Sequence, residues 1–301
     1  MKKMKASIST KTKFSPLTIS LFVVLALYVV FLVVMFLWAF LTASKGYYTD
    51  YFSFEPSKVP HNIVGLPKEF ALFQNLAEIN DGFSDYTLVN MALNTILYAV
   101  GCSLSKVVVT CVVAYLCSRY ENLFSKIVYV TVIVTMIVPV VGSQAAEIQL
   151  AKELLLFDSL LGMWVMRANF LGMYFLVFFS VFKSMPKGYY EAAKIDGAND
   201  FQIMVKVALP LVKYTFLSIF LILFIEYWND YLIPNLYLPS YTTLSLALYW
   251  QSQGQEISNP DLQRVTYVMA TVLLVTIPVI VIFSVFSKRL MGNLSVGGLK
   301  G

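Results

Sequence analysis

Histidine occurs once in this chain, at His61, and cysteine three times, at Cys102, Cys111 and Cys117. No second histidine or cysteine lies near His61, so it reads as a solvated loop side chain rather than a metal ligand. The three cysteines share one apolar stretch at a spacing that suits neither a zinc site nor a disulfide framework, and they read as buried thiols. There is no Gly-x-Ser-x-Gly nucleophile elbow and no Gly-x-x-x-x-Gly-Lys-Ser/Thr phosphate loop. Enzyme chemistry is therefore not expected, and the chain should not hydrolyse ATP by itself. Charge is scarce as well. Only 13% of the 301 residues are charged against 58% hydrophobic, and the mean hydropathy of +0.73 lies outside the soluble range.

What the sequence does have is long apolar runs, several of them reaching the roughly 20 residues a helix needs to cross a bilayer. The expectation is an all-α polytopic membrane protein with six transmembrane helices, over about 17–41, 87–117, 127–156, 160–182, 211–233 and 264–286. Five lysines precede the first run, which has 25 residues without a charge. That exceeds the apolar region of a signal peptide, and no clean small-x-small cleavage site follows, so a retained span is expected after a cytoplasmic segment 1–16. Residues 42–86 are mixed and polar and should face outward. Fifteen of the 22 Lys and Arg fall in the segments proposed as inner, including a basic, glycine-rich tail over 287–301. The positive-inside rule asks for this, with both termini in the cytoplasm of a cell-membrane protein. The net charge of +5 is then a topology signature and gives no reason to expect nucleic acid as a partner.

Polar groups inside the expected spans allow two readings. Asn90, Asn94, Thr95, Ser103 and Ser105 are either hydrogen-bonding glue between helices or part of a solute path, and Lys106 can snorkel if it lies towards the cytoplasmic side. Pro139 marks either a kink beside a cavity or the rise into the outer interface, and Pro278 should break the last span. The fifth span ends in Glu226-Tyr227-Trp228-Asn229-Asp230. An aromatic belt with acids in water explains that ending. A carbohydrate path would use the same residue types, because flat rings stack on sugar faces and carboxylates or amides bond hydroxyls. Asn94, Glu226, Trp228, Asn229 and Asp230 are the candidates for such a path.

The longest soluble-looking stretch with internal order runs over residues 185–210. Pro186 suits a first helical turn, Ala192 and Ala193 favour helix, and Asp196-Gly197 is a stop, since glycine accepts a left-handed backbone. A second helix restarts with Asn199 or Asp200 as its cap, and Phe201, Met204, Val205 and Ala208 recur at helical spacing as one apolar stripe. The picture is helix, turn, helix at a membrane surface. Glu191-Ala192-Ala193, three residues, Gly197, nine residues, then Val207-Ala208-Leu209-Pro210 resembles the EAA motif of permease subunits in binding-protein-dependent ABC importers. Six fixed positions at about 7% usage each would recur by chance in a chain this long with odds on the order of 10⁻⁵. Val207 stands where isoleucine is usual, and Tyr214 where a second proline often follows.

The Trp228-Asn229-Asp230 ending and the tail Ser295-Val296-Gly297-Gly298-Leu299-Lys300-Gly301 are similar to the carbohydrate-uptake class, the smaller permease of maltose-type transporters in particular. That resemblance implies a type I ABC importer permease fold and transport of a mono- or oligosaccharide by alternating access. It implies as partners a second, homologous permease, two ABC ATPase subunits carrying ATP and Mg, an extracellular solute-binding protein and membrane lipid. No cofactor or metal is expected on this chain and no residue is catalytic. Glu191, Ala192, Ala193 and Gly197 would make the ATPase-coupling contact, flanked by Lys194 and Asp196 and completed by Leu209 and Pro210. An importer of amino acids, peptides or ions shares the motif, and a secondary transporter or membrane scaffold is the remaining alternative.

Overall fold

A computed structural model describes residues 15–46, 50, 65–83, 86–138, 142–255 and 259–291. His61, Pro139, the amino-terminal lysines and the glycine-rich end of the tail lie outside the described residues. Every regular element within them is helical: α1 (Pro16–Ala43), α2 (Leu72–Gly82), α3 (Leu88–Arg119), α4 (Leu123–Ile137), α5 (Gln144–Glu153), α6 (Leu160–Arg167), α7 (Met173–Lys183), α8 (Gly188–Ile195), α9 (Asp200–Ile203), α10 (Leu209–Leu211), α11 (Lys213–Trp228), α12 (Leu232–Tyr237), α13 (Leu244–Gln253) and α14 (Val265–Met291). A π-turn over Met204–Ala208 joins α9 to α10, and a 3₁₀ turn over Pro260–Gln263 precedes α14.

The fold is built on α3. Its buried residues Met91, Thr95, Tyr98 and Cys102 step by four and three along one face, and Thr110, Cys111, Ala114 and Cys117 extend the burial to the far end. Helices α11, α7 and α6 pack around it, α14 carries α1 and α2, and α13 touches both α3 and α14. Lipid tails are as apolar as leucine, so close packing and interhelical hydrogen bonds hold such helices together, the bonds contributing about 0.6 kcal/mol each on average. Gly101 shows the packing. The Trp164 indole lies so close that a Cβ at Gly101 would meet it at 1.9 Å, and its Nε1 donates to Leu97 O at 3.1 Å. The hydrogen bonds include Asn94 Nδ2 to Thr242 O at 3.1 Å and Leu244 N to Thr95 Oγ1 at 2.9 Å. Of the polar groups on this helix, Asn94 and Thr95 thus act as glue, binding the start of α3 to the α13 segment. All three cysteines are buried free thiols.

Among the described residues, three helices are long and apolar enough to cross a membrane (Pro16–Ala43, Leu88–Arg119 and Val265–Phe286), or four if the bent pair Asp200–Leu211 and Lys213–Trp228 is one span. The remaining expected spans are divided. Residues 127–156 contain α4 and α5, separated by a stretch in which Gly142 is left-handed at φ +83°. Residues 160–182 contain α6 and α7, interrupted at 168–172 with Gly172 at φ +123°. This break sits beside Thr110, whose hydroxyl donates to Asn169 O at 3.3 Å. Arg167 and Asn169 therefore lie part-way along α3.

Two further corrections concern prolines and loops. Pro278 does not break α14, which continues through it. Transmembrane helices tolerate the missing N–H because neighbouring groups re-satisfy the freed carbonyl. The segments expected from sequence to be outer loops also hold helices that the sequence did not announce. Asn75 on α2 is buried and donates to Ala43 O at 2.8 Å and Lys45 O at 3.0 Å, tying the end of α1 down. Helix α13 buries Leu244, Leu246 and Ala247, and Thr243 caps it.

Candidate functional site

Helix α8 stands at the end of α3 and is held there by one aromatic side chain. Tyr190 is only 5% exposed. Its ring lies 6.5 Å from that of Tyr115, which in turn meets Phe182 edge-on at 5.3 Å. The Arg119 guanidinium covers Tyr190 at 4.3 Å from the ring centroid, a cation–π contact, and the Tyr190 hydroxyl reaches Met185 Sδ at 3.4 Å. Burial raises the Tyr190 phenol above its ordinary pKa, against the lowering effect of Arg119, so it stays a neutral donor at physiological pH. The sequence reading missed this anchor. Its signal was an aromatic at position 190 and an alanine at 193, three residues apart on the inward face of a short helix.

The stop after α8 forms as the sequence indicates. Gly197 is left-handed at φ +79°, the Ala198 N–H donates to Ala193 O at 3.0 Å and the Gly197 N–H to Lys194 O at 3.0 Å, the Schellman pattern. Asn199 caps α9 in a reciprocal box with Gln202, the two bonds being 2.8 and 3.0 Å. Asp200 is left free of capping and pairs instead with Lys194 at 3.6 Å across the turn. This exposed pair contributes little energy. Outward from the anchor, Glu191, Ala192, Lys194, Asp196 and Gly197 are exposed and Ala193 is half-buried. Two large apolar side chains join them, Ile195 at 86% and Phe201 at 69% exposure. Ile195 is out of phase with the inward Tyr190 and Ala193, which is how it could have been singled out from sequence.

The expected stripe of Phe201, Met204, Val205 and Ala208 is not the one that forms. Ile203 and Ala208 are buried and Phe201 and Val205 face out. The cause is the π-turn: Leu209 N–H donates to Met204 O, so the helix holds an extra residue there and the side-chain register shifts. Pro210 has no N–H to give and its ring would clash with a carbonyl four residues back, and a widened turn removes that conflict. After Pro210 the chain bends by 73° into α11. Leu209 is half-buried and Pro210 exposed at this elbow.

Helix α11 leads from the elbow to the second group of candidates. Glu226, Asn229 and Asp230 line a cleft of about 370 Å³ with Lys106 of α3 and Arg167 of α6. Asp230 accepts from the Tyr98 hydroxyl at 2.8 Å and from the Ile233 N–H at 3.1 Å. Asn229 is engaged by its own helix, Nδ2 donating to Ile225 O at 2.8 Å. Lys106 shares the cleft with Glu226. Trp228 and Asn94 stand apart from the cleft. The Trp228 indole is 3% exposed and donates to Val275 O at 2.9 Å, joining α11 to α14, while its carbonyl accepts from Ser245 Oγ at 2.6 Å. Charged groups from three helices in one cleft are costly within a bilayer and mark a solute path or a packing partner. At about 1.5 Å per residue, Lys106 and Arg119 are roughly 20 Å apart along α3, which therefore connects the cleft to the α8 anchor.

Residues 106–294 match the family described as "Binding-protein-dependent transport system inner membrane component", a stretch running from within α3 through α14 and containing both groups of candidates except Asn94. The chain belongs to this family. Among relatives of this inner membrane component is the maltodextrin transport system permease protein MdxG of Bacillus subtilis, 29% identical over 223 residues, covering 73% of this chain and 78% of the relative. Another is the diacetylchitobiose uptake system permease protein NgcG of Streptomyces coelicolor, 25% identical over 97% of this chain and 91% of the relative. The fold is shared with a chain of a bacterial ABC transporter involved in the import of the acidic polysaccharide alginate. There the TM-score is 0.73 at 21% identity, covering 90% of this chain and 95% of that one.

Proposed function

We propose that this inner membrane component is the permease subunit of an ATP-driven importer and translocates a sugar, mono- or oligosaccharide, delivered by an extracellular binding protein. The observation that carries the proposal is the exposed Glu191–Gly197 surface on a helix pinned to α3 through Tyr190. The sugar follows from the relatives, whose names specify maltodextrin and diacetylchitobiose.

In this reading two partner ATPases, holding ATP and Mg, dock on Glu191, Ala192, Ala193, Lys194, Asp196 and Gly197, and a second homologous permease completes the pathway. Six spans place both termini and the coupling segment in the cytoplasm, the divided helices each completing a span. Small side chains at Ala192, Ala193 and Gly197 let a groove close over α8, and Glu191 offers a charge-assisted bond to a basic residue there. ATPase closure pulls α8, the rigid elbow at Leu209 and Pro210 transmits the pull to α11, and α11 displaces Glu226, Asn229 and Asp230 against Lys106 and Arg167. The cleft then alternates between outward and inward access. Asn94 and Trp228 support its walls through α13 and α14.

In right-side-out membrane vesicles with ATP inside and the binding protein outside, sugar uptake should stop when ATP is depleted and be indifferent to collapse of ion gradients. Uptake that follows an ion gradient and ignores ATP would make the chain part of a secondary transporter. ATP-dependent uptake of an amino acid, peptide or ion alone would keep the mechanism and change the solute.

A further inference from the structure

Where α4 and α7 meet below the α3 turn, at the end of the helices that carries the coupling segment, a groove of about 360 Å³ opens on the outside of the protein. Its floor is apolar. Tyr129 and Phe179 lie with ring centroids 4.9 Å apart, and Val130 beside them is exposed. Its rim is charged, with Lys126, Lys183 and Glu121. An adjoining cavity of about 350 Å³ shares Glu121 and Lys183, adds Arg119 and Lys187, and ends on Tyr190.

Four cations thus surround one carboxylate. Lys183 binds Glu121 directly, while Lys126 and Lys187 have no carboxylate within ion-pair distance among the described residues. The Glu121 carboxyl is held below its usual pKa, chiefly by the Lys183 hydrogen bond and charge and further by Lys187 and Lys126. Lysines at a membrane surface need no ligand to be soluble. What distinguishes this place is the apolar trough running from the basic rim along two helices. A free anion would have no use for the trough, and a zwitterionic lipid would leave the surplus charge unmatched.

We propose that the groove holds an anionic phospholipid, its phosphate among Lys126, Lys183 and Lys187 and one acyl chain along Tyr129, Val130 and Phe179. Basic pockets between helices at a membrane surface bind such headgroups. Because the adjoining cavity is walled by Arg119, Lys187 and Tyr190, the headgroup also braces the end of α3 on which α8 is seated. This site is independent of what solute the protein carries.

The test uses the full chain, with whatever subunits accompany it, in nanodiscs of phosphatidylcholine containing a minor share of phosphatidylglycerol, with retained lipid identified by native mass spectrometry. Phosphatidylglycerol should be retained above its bulk share. Each of Lys126→Gln, Lys183→Gln and Lys187→Gln should lower that preference about fivefold. Val130→Glu, which alters an exposed floor position and leaves every cation in place, should abolish it. Absence of enrichment in the unmodified chain, or enrichment that survives both the triple lysine variant and Val130→Glu, overturns the proposal. So does binding of inorganic phosphate alone by the delipidated chain that Val130→Glu leaves unchanged, since the occupant is then a free anion.

Discussion

Replacing Glu191 with lysine is expected to abolish uptake while the chain still inserts and folds. Glu191 lies in the first turn of α8 with its side chain exposed, so within this chain its contribution is limited to the helix dipole, about 0.3–1 kcal/mol. Reversing its charge there costs the subunit little. Against a basic residue of a docked ATPase, however, the same change replaces a charge-assisted bond by repulsion in a closed contact, where such exchanges cost several kcal/mol. Uptake in cells or vesicles, measured with the membrane content of the variant, separates the two effects. Loss of uptake at normal membrane content supports coupling through α8, and normal uptake removes Glu191 from the coupling contact.

The second large effect is on stability. Trp228→Ala removes a buried indole that packs on Phe224 at 5.5 Å between ring centroids and donates to Val275 O at 2.9 Å. Truncating a buried large aromatic costs about 3–5 kcal/mol, and here it also severs the side-chain link between α11 and α14. The thermal unfolding midpoint of the detergent-solubilised protein should fall markedly, with Trp228→Phe recovering most of the loss through retained packing. An unchanged midpoint in Trp228→Ala would mean that the indole does not brace these helices and would return it to the list of residues that contact solute.

These two residues show what a sequence makes legible. The long helices α1, α3 and α14 are plain from apolar runs alone, because length and composition decide whether a helix crosses a bilayer. The α8 stop and α9 cap are equally plain, because Asp196-Gly197 and Asn199 act on their immediate neighbours. The break between α4 and α5 was legible, since the third expected span was read as interrupted at Pro139, but the other interruptions were not. The π-turn at 204–208 answers a conflict created by Pro210 several residues away, and the break at 168–172 is set against Thr110 on another helix. Trp228 and Asn229 are adjacent in sequence yet serve a buried joint and an open cleft, because neighbouring positions on a helix point about 100° apart. The Tyr190 anchor depends on Arg119 and Tyr115, which are more than seventy positions earlier. The grouping of Lys106 with Arg167 and Glu226 was hidden for a similar reason, since α6 and α11 bring those residues to the same cleft from distant parts of the chain.

The central claim is that this chain acts as one part of a machine powered elsewhere. It is tested most directly by affinity capture of the chain from gently solubilised native membranes, with the accompanying proteins identified by mass spectrometry. The account predicts recovery of a second permease, an ABC ATPase and a solute-binding protein, with the ATPase lost from the Glu191→Lys variant. Recovery of the chain alone, under conditions that keep a control ABC complex whole, would contradict it.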